Sequence, residues 1–315
     1  MELIAKVTSR CDMACKFCSA SKLGTDDLTA QEVADTANKI GAQSIILLGG
    51  EALLMGPTYY EELLKLTDAS LDFTTNLKDF ALHPERWEEL FRNPRVSVCT
   101  SFNYGGTRMW NKNEELTEKR FRSYMKEFEK RIGYMPQFIA VMDENNIHTW
   151  RKLIGLAKDL GTKVRLNNVM PFGRSGHYFP RSKMFKVWVQ IAKEGLGAYE
   201  VNASERGTGR CPINSTLLCK NTILVMAKKN GKIIYHDCDD LSNLSEPPLP
   251  SIEKYPVPPE ETPVTSPLFP KCYACQLFRI CNGCRTNRGI IKDKDSYCKD
   301  MKELEDDIVR LGWKL

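Results

Sequence analysis

The sequence predicts an α/β chain in which repeated βα units carry a parallel sheet and a smaller cysteine-rich module follows. Three observations lead there. From residue 3 to about residue 170, short apolar runs rich in β-branched residues alternate with amphipathic stretches, the pattern of successive βα units. Six such units can be counted, too few to close an ordinary eight-stranded barrel, so the sheet is either open and doubly wound or a partial barrel. After about residue 200 the helical period fades until the last 15 residues, and seven of the 12 cysteines fall between Cys219 and Cys298.

In chain order, strands are expected at Leu3 to Thr8, Ser44 to Leu48, Leu71 to Thr75, Val96 to Ser101, Gln137 to Met142 and Lys163 to Asn168. Thr29 followed by Glu32 matches a capping box at the start of the first helix, and Gly41 stands where a C-terminal cap belongs. The fifth helix is expected from about Thr149 to Leu160, ending at Gly161. The division is then residues 1–200 and 201–315. Within the second part, residues 246–270 hold nine of the 16 prolines, an extended, partly polyproline belt joining two halves of the module.

Composition narrows the classes. A chain of 315 residues, 42% apolar, buries a core well beyond the size that needs covalent staples, so the cysteines do not rescue a small fold. The N-terminus does not read as a secretory signal, and the longest apolar runs, 44–48 and 222–227, are too short to cross a bilayer. A cytoplasmic protein with no membrane partner is expected. Disulfides are rare there, so clustered cysteines point to metal or redox chemistry. The 45 Lys and Arg against 40 Asp and Glu leave a mild basic excess that does not itself argue for nucleic acid.

The first chemical constellation is Arg10-Cys-Asp-Met-Ala-Cys-Lys-Phe-Cys18, directly after the first strand. Its spacing fits neither a strand nor a continuous helix face, and the loop is polar, so Cys11, Cys15 and Cys18 are not three core cysteines. Such thiolates hold iron-sulfur clusters, normally through four cysteines; with three, one iron stays open to a ligand, as in catalytic zinc sites. A zinc ion completed by a distant residue is the competing reading. The CxxxCxxC loop, with Phe17 before its last cysteine, resembles the signature of the radical S-adenosylmethionine (radical SAM) enzymes. The resemblance implies a partial (β/α)6 TIM-like barrel and a [4Fe-4S] cluster whose open iron chelates the amino and carboxylate groups of S-adenosyl-L-methionine. One-electron reduction, from a donor such as flavodoxin or ferredoxin, cleaves that cofactor to methionine and a 5′-deoxyadenosyl radical, which abstracts a hydrogen atom from the substrate.

The other strand ends extend the likeness. Gly49 and Gly50 let backbone approach a ligand closely, and Glu51 can accept from an ammonium group. Together they resemble the family's GGE motif, which binds the methionine amino group, with Ala52 in place of the usual proline. The resemblance also implies cofactor contacts from Thr75 and Asn76 after the third strand and from Ser101 at the end of the fourth. It adds Arg120 or Arg122 for the carboxylate, Asn145 or Asn146 after the fifth strand, and Pro171 in a Pro-x-Gly-Arg turn after the sixth. These similarities cover residues 3 to 176. Cys99 shares its strand parity with Ser101. It is either a thiol that returns a hydrogen atom to a substrate radical, as in radical SAM epimerases, or a small core residue. The aromatic-rich segment Tyr104 to Trp110 and the Asp143-Glu144 pair either shape the substrate pocket or form a surface loop and a polar turn.

In the second part, Cys272, Cys275, Cys281 and Cys284 give CxxCx5CxxC, followed by Cys298 and preceded by Cys211, Cys219 and Cys238. A pair of zinc sites is one reading. The pattern resembles the SPASM extension of radical SAM enzymes, one residue shorter at its end than usual, which binds two auxiliary [4Fe-4S] clusters. By order, Cys211, Cys219, Cys238 and Cys284 would hold the inner cluster and Cys272, Cys275, Cys281 and Cys298 the outer one. Both would be fully ligated, which suits electron transfer or structural support. Three clusters with their thiolates would bring a charge of about −5, offsetting the basic excess and weakening any case for a nucleic-acid partner.

The resemblance implies a peptide or protein side chain as substrate. The chain begins directly at the first strand, without the winged-helix segment of many peptide-modifying relatives, which keeps in view a small molecule such as an amino sugar, amino acid or nucleotide. A modified base is a third option, and a non-enzymatic zinc-binding interaction protein the alternative from another class.

Overall fold

Every apolar run expected to be a strand is one, with bounds shifted by no more than one residue. In the structure, a computed structural model describing residues 1–20, 25–169, 174, 179–205, 223–236, 252–253, 277 and 294–312, six parallel strands lie in sequence order. They are β1 (Glu2–Thr8), β2 (Ser44–Gly49), β3 (Ser70–Thr74), β4 (Val96–Ser101), β5 (Gln137–Met142) and β6 (Val164–Asn168). The order settles the sheet type. A doubly wound sheet reverses direction at a switch point, whereas β1 to β6 proceed one way without reversal, as in a barrel wall.

The wall extends past residue 200. β7 (Ile223–Lys229) pairs parallel with β1, and β8 (Lys232–His236) returns antiparallel to β7, so among the described residues the sheet has eight strands. The hairpin turns on Asn230 and Gly231, with φ of 52° and 73°, the left-handed pair that an Asn-Gly turn accommodates. The sheet is thus shared by residues on both sides of the boundary expected near residue 200.

Helices cover the outer face. α1 (Ala30–Lys39) has the expected capping box: Glu32 N–H donates to Thr29 Oγ at 3.2 Å and Thr29 N–H to Glu32 Oε2 at 2.8 Å. It ends in a Schellman turn at Gly41, with Ala42 N–H reaching Ala37 O at 2.8 Å. Next come α2 (Pro57–Leu66), α3 (Lys78–Leu82), α4 (Glu88–Phe91), α5 (Glu118–Ile132) and α6 (Trp150–Asp159), the last closed at Gly161 by the same kind of turn. Between α2 to α5 and β3 lie Tyr60, Phe73, Phe80, Trp87, Phe91 and Phe128, all buried; each such side chain contributes about 1.5–3 kcal/mol. α7 (Arg181–Lys193) and α8 (Val201–Glu205) follow β6. Helix α9 (Lys294–Glu303), with α10 (Glu305–Arg310) behind it, packs on α7, where the Ser182 hydroxyl donates to Asp300 Oδ2 at 2.7 Å. This helical pair begins earlier than the final 15 residues in which the sequence shows its period. Among the described residues no helix is long and apolar enough to cross a membrane.

Candidate active site

The loop after β1 carries Cys11, Cys15 and Cys18, and it is held from every side. The Thr8 hydroxyl donates to Asp27 Oδ1 at 2.6 Å, and Arg10 Nη2 pairs with Asp27 Oδ2 at 2.7 Å. Gly50 N–H donates to Thr8 O at 2.7 Å and Glu51 N–H to Arg10 O at 2.8 Å. A Cβ on Gly49 would stand 2.2 Å from Thr8 O, and one on Gly50 2.1 Å from Arg10 O. What these glycines let approach is therefore the backbone that leads into the cysteine loop.

Opposite, the segment after β4 braces the loop: Lys16 N–H donates to Thr107 O at 2.9 Å and Ala14 N–H to Met109 O at 3.4 Å. Lys78 Nζ joins the two by donating to Asp12 O and Trp110 O, both at 2.8 Å, and Asn76 Nδ2 donates to Asp12 Oδ1 at 2.9 Å. After β6, Arg174 N–H reaches Cys18 O at 3.0 Å.

Cys11, Cys15 and Cys18 border one cavity of about 710 Å³ that also takes in the inner faces of β1 to β6. Among the described residues no three His, Cys, Asp or Glu side chains converge on a single ion. Three soft donors along the wall of a roomy cavity fit an iron-sulfur cluster, which is wider than one ion.

Glu51 lies on the same wall, 2% exposed. Its Oε1 accepts Leu53 N–H at 3.0 Å and the Thr75 hydroxyl at 2.5 Å, and Oε2 accepts Asn76 N–H at 2.7 Å. A carboxylate has about four acceptor positions, so one remains, on Oε2, for a ligand amino group. Burial pushes the carboxyl up to about 7 despite these three donors. Thr75 is set by Leu77, a buried residue held at φ 58° whose N–H donates to Thr75 Oγ at 3.0 Å; left-handed backbone costs a leucine about 1–3 kcal/mol.

Phe17, Gly49, Gly50, Thr75, Asn76, Cys99 and Ser101 also line the cavity. Arg120, Arg122 and Asn145 do not, and the structure corrects those three expectations. Arg122 pairs with Glu118, one turn back, at 2.6 Å and with Asp159 on α6 at 2.9 Å, a bridge across the outside of two helices. Arg120 pairs with Glu114 at 2.6 Å and lies 4.7 Å from the Trp110 ring centroid. Asn145 is exposed on the turn after β5, its N–H on Asp143 Oδ1 at 2.8 Å, while Asn146 is buried and closes that turn.

Of the arginines in the loop and helix that follow β4, the one that lines the cavity is Arg108, which sequence reasoning did not single out. It is 7% exposed, its Nε and Nη2 both donate to Asn103 Oδ1 at 3.3 Å, and its guanidinium lies 5.0 Å from the Phe17 ring centroid. Among the described residues Nη1 has no acceptor, so this cation keeps donors for a guest. The other members of the Tyr104 to Trp110 segment turn elsewhere: Tyr104 donates to Glu118 at 2.8 Å, and Trp110 packs beneath Lys78 and Arg120. Asp143 and Glu144 form a polar turn, with Glu144 paired to Lys183. Pro171 and Cys211, Cys219, Cys238, Cys272, Cys275, Cys281 and Cys284 lie outside the described residues; Cys298 is on α9, half-buried.

Residues 5–172, more than half the chain, match the radical SAM superfamily. The chain belongs to that superfamily. Radical SAM proteins use S-adenosylmethionine and a [4Fe-4S] cluster, and the loop, Glu51 and the cavity stand where the strand ends of this fold present them. Two solved structures are similar in fold. Polyhistidine-tagged anSMEcpe with bound AdoMet superposes with a TM-score of 0.71 at 19% identity, over 98% of this chain and 97% of that one. Streptococcus suis SuiB gives 0.59 at 16% identity, over 93% of this chain and 74% of that one. No curated protein matches the sequence.

Proposed function

We propose that this radical SAM protein modifies a peptide or protein side chain, by oxidation, cross-linking or epimerisation, with two auxiliary clusters assisting electron transfer. The observation that carries the reading is the meeting, on one cavity, of three cluster-loop thiols, a buried carboxylate with one acceptor position left and a buried guanidinium with free donors. When bound, the cluster and S-adenosylmethionine supply a 5′-deoxyadenosyl radical by one-electron cleavage. Cys11, Cys15 and Cys18 would hold the cluster, Glu51 would accept from the methionine amino group, and Arg108 would pair with its carboxylate. Gly49, Gly50, Thr75 and Asn76 keep Glu51 and the loop in register, and Phe17 supports the Arg108 plane. Cys99 faces the cavity with its thiol pushed up to about 12 by burial. It therefore keeps its proton at neutral pH and is the candidate hydrogen-atom donor.

Residues 201–315 would form the auxiliary-cluster module, with Cys211, Cys219, Cys238 and Cys284 on one cluster and Cys272, Cys275, Cys281 and Cys298 on the other. A small polar molecule, such as an amino sugar, amino acid or nucleotide, is the second reading, favoured by Asp72, Ser97, Gln137 and Asn167 on the cavity wall. Anaerobic reconstitution tests the proposal: about 12 iron and about 12 sulfide per chain, with 5′-deoxyadenosine released on reduction in the presence of S-adenosylmethionine. About four iron would overturn the auxiliary pair, and tightly bound zinc with no 5′-deoxyadenosine would overturn the whole reading.

A further inference from the structure

One peptide unit of the cysteine loop joins two hydrogen bonds end to end. Its N–H, on Met13, donates to Cys11 Sγ at 3.5 Å, and its C=O, on Asp12, accepts from Lys78 Nζ at 2.8 Å. The Lys78 ammonium thus stands one peptide away from a thiol of the cluster loop. Hydrogen bonds in a chain polarise one another, so a cation on the carbonyl makes the N–H of the same peptide a stronger donor to sulfur.

Lys78 is not an ordinary solvated lysine. Its side chain is 14% exposed, it donates a second hydrogen bond to Trp110 O at 2.8 Å, and Nζ lies 4.9 Å from the Trp110 ring centroid. It is also the first residue of α3, where the unpaired N–H groups of the helix disfavour a cation, so the helix does not account for it. The charges around it are few. Asp12 Oδ2 stands 4.0 Å from Nζ, beyond hydrogen-bond distance, while Asp12 Oδ1 accepts from Asn76 Nδ2 at 2.9 Å. Arg120, at the same Trp110 ring, is paired with Glu114 at 2.6 Å. The ammonium therefore spends its hydrogen bonds on two backbone carbonyls and not on a carboxylate.

We propose that Lys78 is a positioning residue for electron transfer: through the Asp12–Met13 peptide and by its own charge it favours the reduced form of the cluster that Cys11, Cys15 and Cys18 would hold. Reduction by an external one-electron donor adds one negative charge to that cluster and breaks no bond. Net charge and hydrogen bonds to the sulfurs are among the factors that set such a potential. Lys78 supplies both at once, from a partly dehydrated position where a charge acts strongly. This inference rests on the reading of the loop as the radical SAM cluster site.

A redox titration of the full-length, cluster-loaded protein, followed by electron paramagnetic resonance, tests it. The signal to follow is the component that S-adenosylmethionine alters, which marks the cluster with an open iron. Lys78→Gln should make reduction of that component about tenfold less favourable, a shift of about 59 mV for a one-electron couple. Lys78→Arg, which keeps the charge, should shift it less, and Asp12→Asn, which removes the opposite charge beside Cys11, should shift it the other way. Components indifferent to S-adenosylmethionine should not move. An unchanged potential in Lys78→Gln, an equal shift in Lys78→Arg, or a shift of the same sign in Asp12→Asn would overturn the proposal. Should Lys78→Gln lose its iron, the comparison is made between Asp12→Asn and the double variant, which leaves no carboxylate without its cation. Loss of iron there too would make Lys78 a brace alone and overturn the proposal. Failure of the underlying reading shows separately, as an unaltered chain with no component that responds to S-adenosylmethionine.

Discussion

At the scale of the residue, two side chains carry the site's electrostatics. Glu51 is ionised only above about 7 because burial outweighs its three donors. Its folded pKa is raised, so the stability that its protonation contributes is full below about 4.5 and lost as pH rises through about 7. A ligand amino group needs the ionised form, so S-adenosylmethionine should bind more weakly as pH falls below 7. The difference in melting temperature between the cluster-loaded protein with and without S-adenosylmethionine should therefore widen from pH 6 to pH 8, and a constant or narrowing difference would contradict the role of Glu51. Arg108 makes the second case. Lysine cannot reproduce its fork on Asn103 and its contact with Phe17, so Arg108→Lys should weaken S-adenosylmethionine binding about tenfold, some 1.4 kcal/mol. Arg122→Gln, which breaks only the outer bridge to Glu118 and Asp159, should leave it unchanged in the same titration. Local sequence placed an arginine near the fourth strand but not the one that lines the cavity. The choice between Arg108, Arg120 and Arg122 depends on how the loop after β4 folds back on the cysteine loop, through contacts such as Lys16 with Thr107.

At the scale of the element, the end of β2 and the cysteine loop behave as one unit. The Gly-Gly-Glu run was legible as a strand-end motif, but its local cause was not. Only the fold shows that Thr8 O and Arg10 O occupy the space of the missing Cβ atoms. Gly50→Ala should force the loop off β2 and cost about 1–3 kcal/mol or more from overpacking alone. It should lower iron retained after gel filtration well below the unaltered chain, and an unchanged iron content and melting temperature would refute the packing argument. The α1 boundaries, by contrast, were fully legible, because the Thr29–Glu32 box and the Gly41 turn are local chemistry. The Asn230-Gly231 turn carries an equally local hairpin signal.

At the scale of the molecule, the sheet joins the two parts of the chain. β7 pairs with β1 over Glu2 to Ala5 and buries Leu224, Val225 and Met226. A chain cut after residue 200 would leave β1 as an open edge beside the cysteine loop and remove that burial. Such a fragment should be markedly less soluble and melt earlier than the whole chain, and a soluble fragment with an unchanged melting temperature would show that the two parts fold independently. The sequence by itself determined what depends on residues near one another in the chain: six βα units, their caps, the CxxxCxxC loop and the superfamily it signals. Only the tertiary structure decided what depends on residues far apart. It set the one-way strand order, the seventh strand beside the first, the three donors that hold Glu51, and Arg108 rather than Arg120 or Arg122 on the cavity wall. The physical reason is that periodicity and capping act over a few residues, whereas a barrel brings strand ends together through pairings that no local pattern encodes.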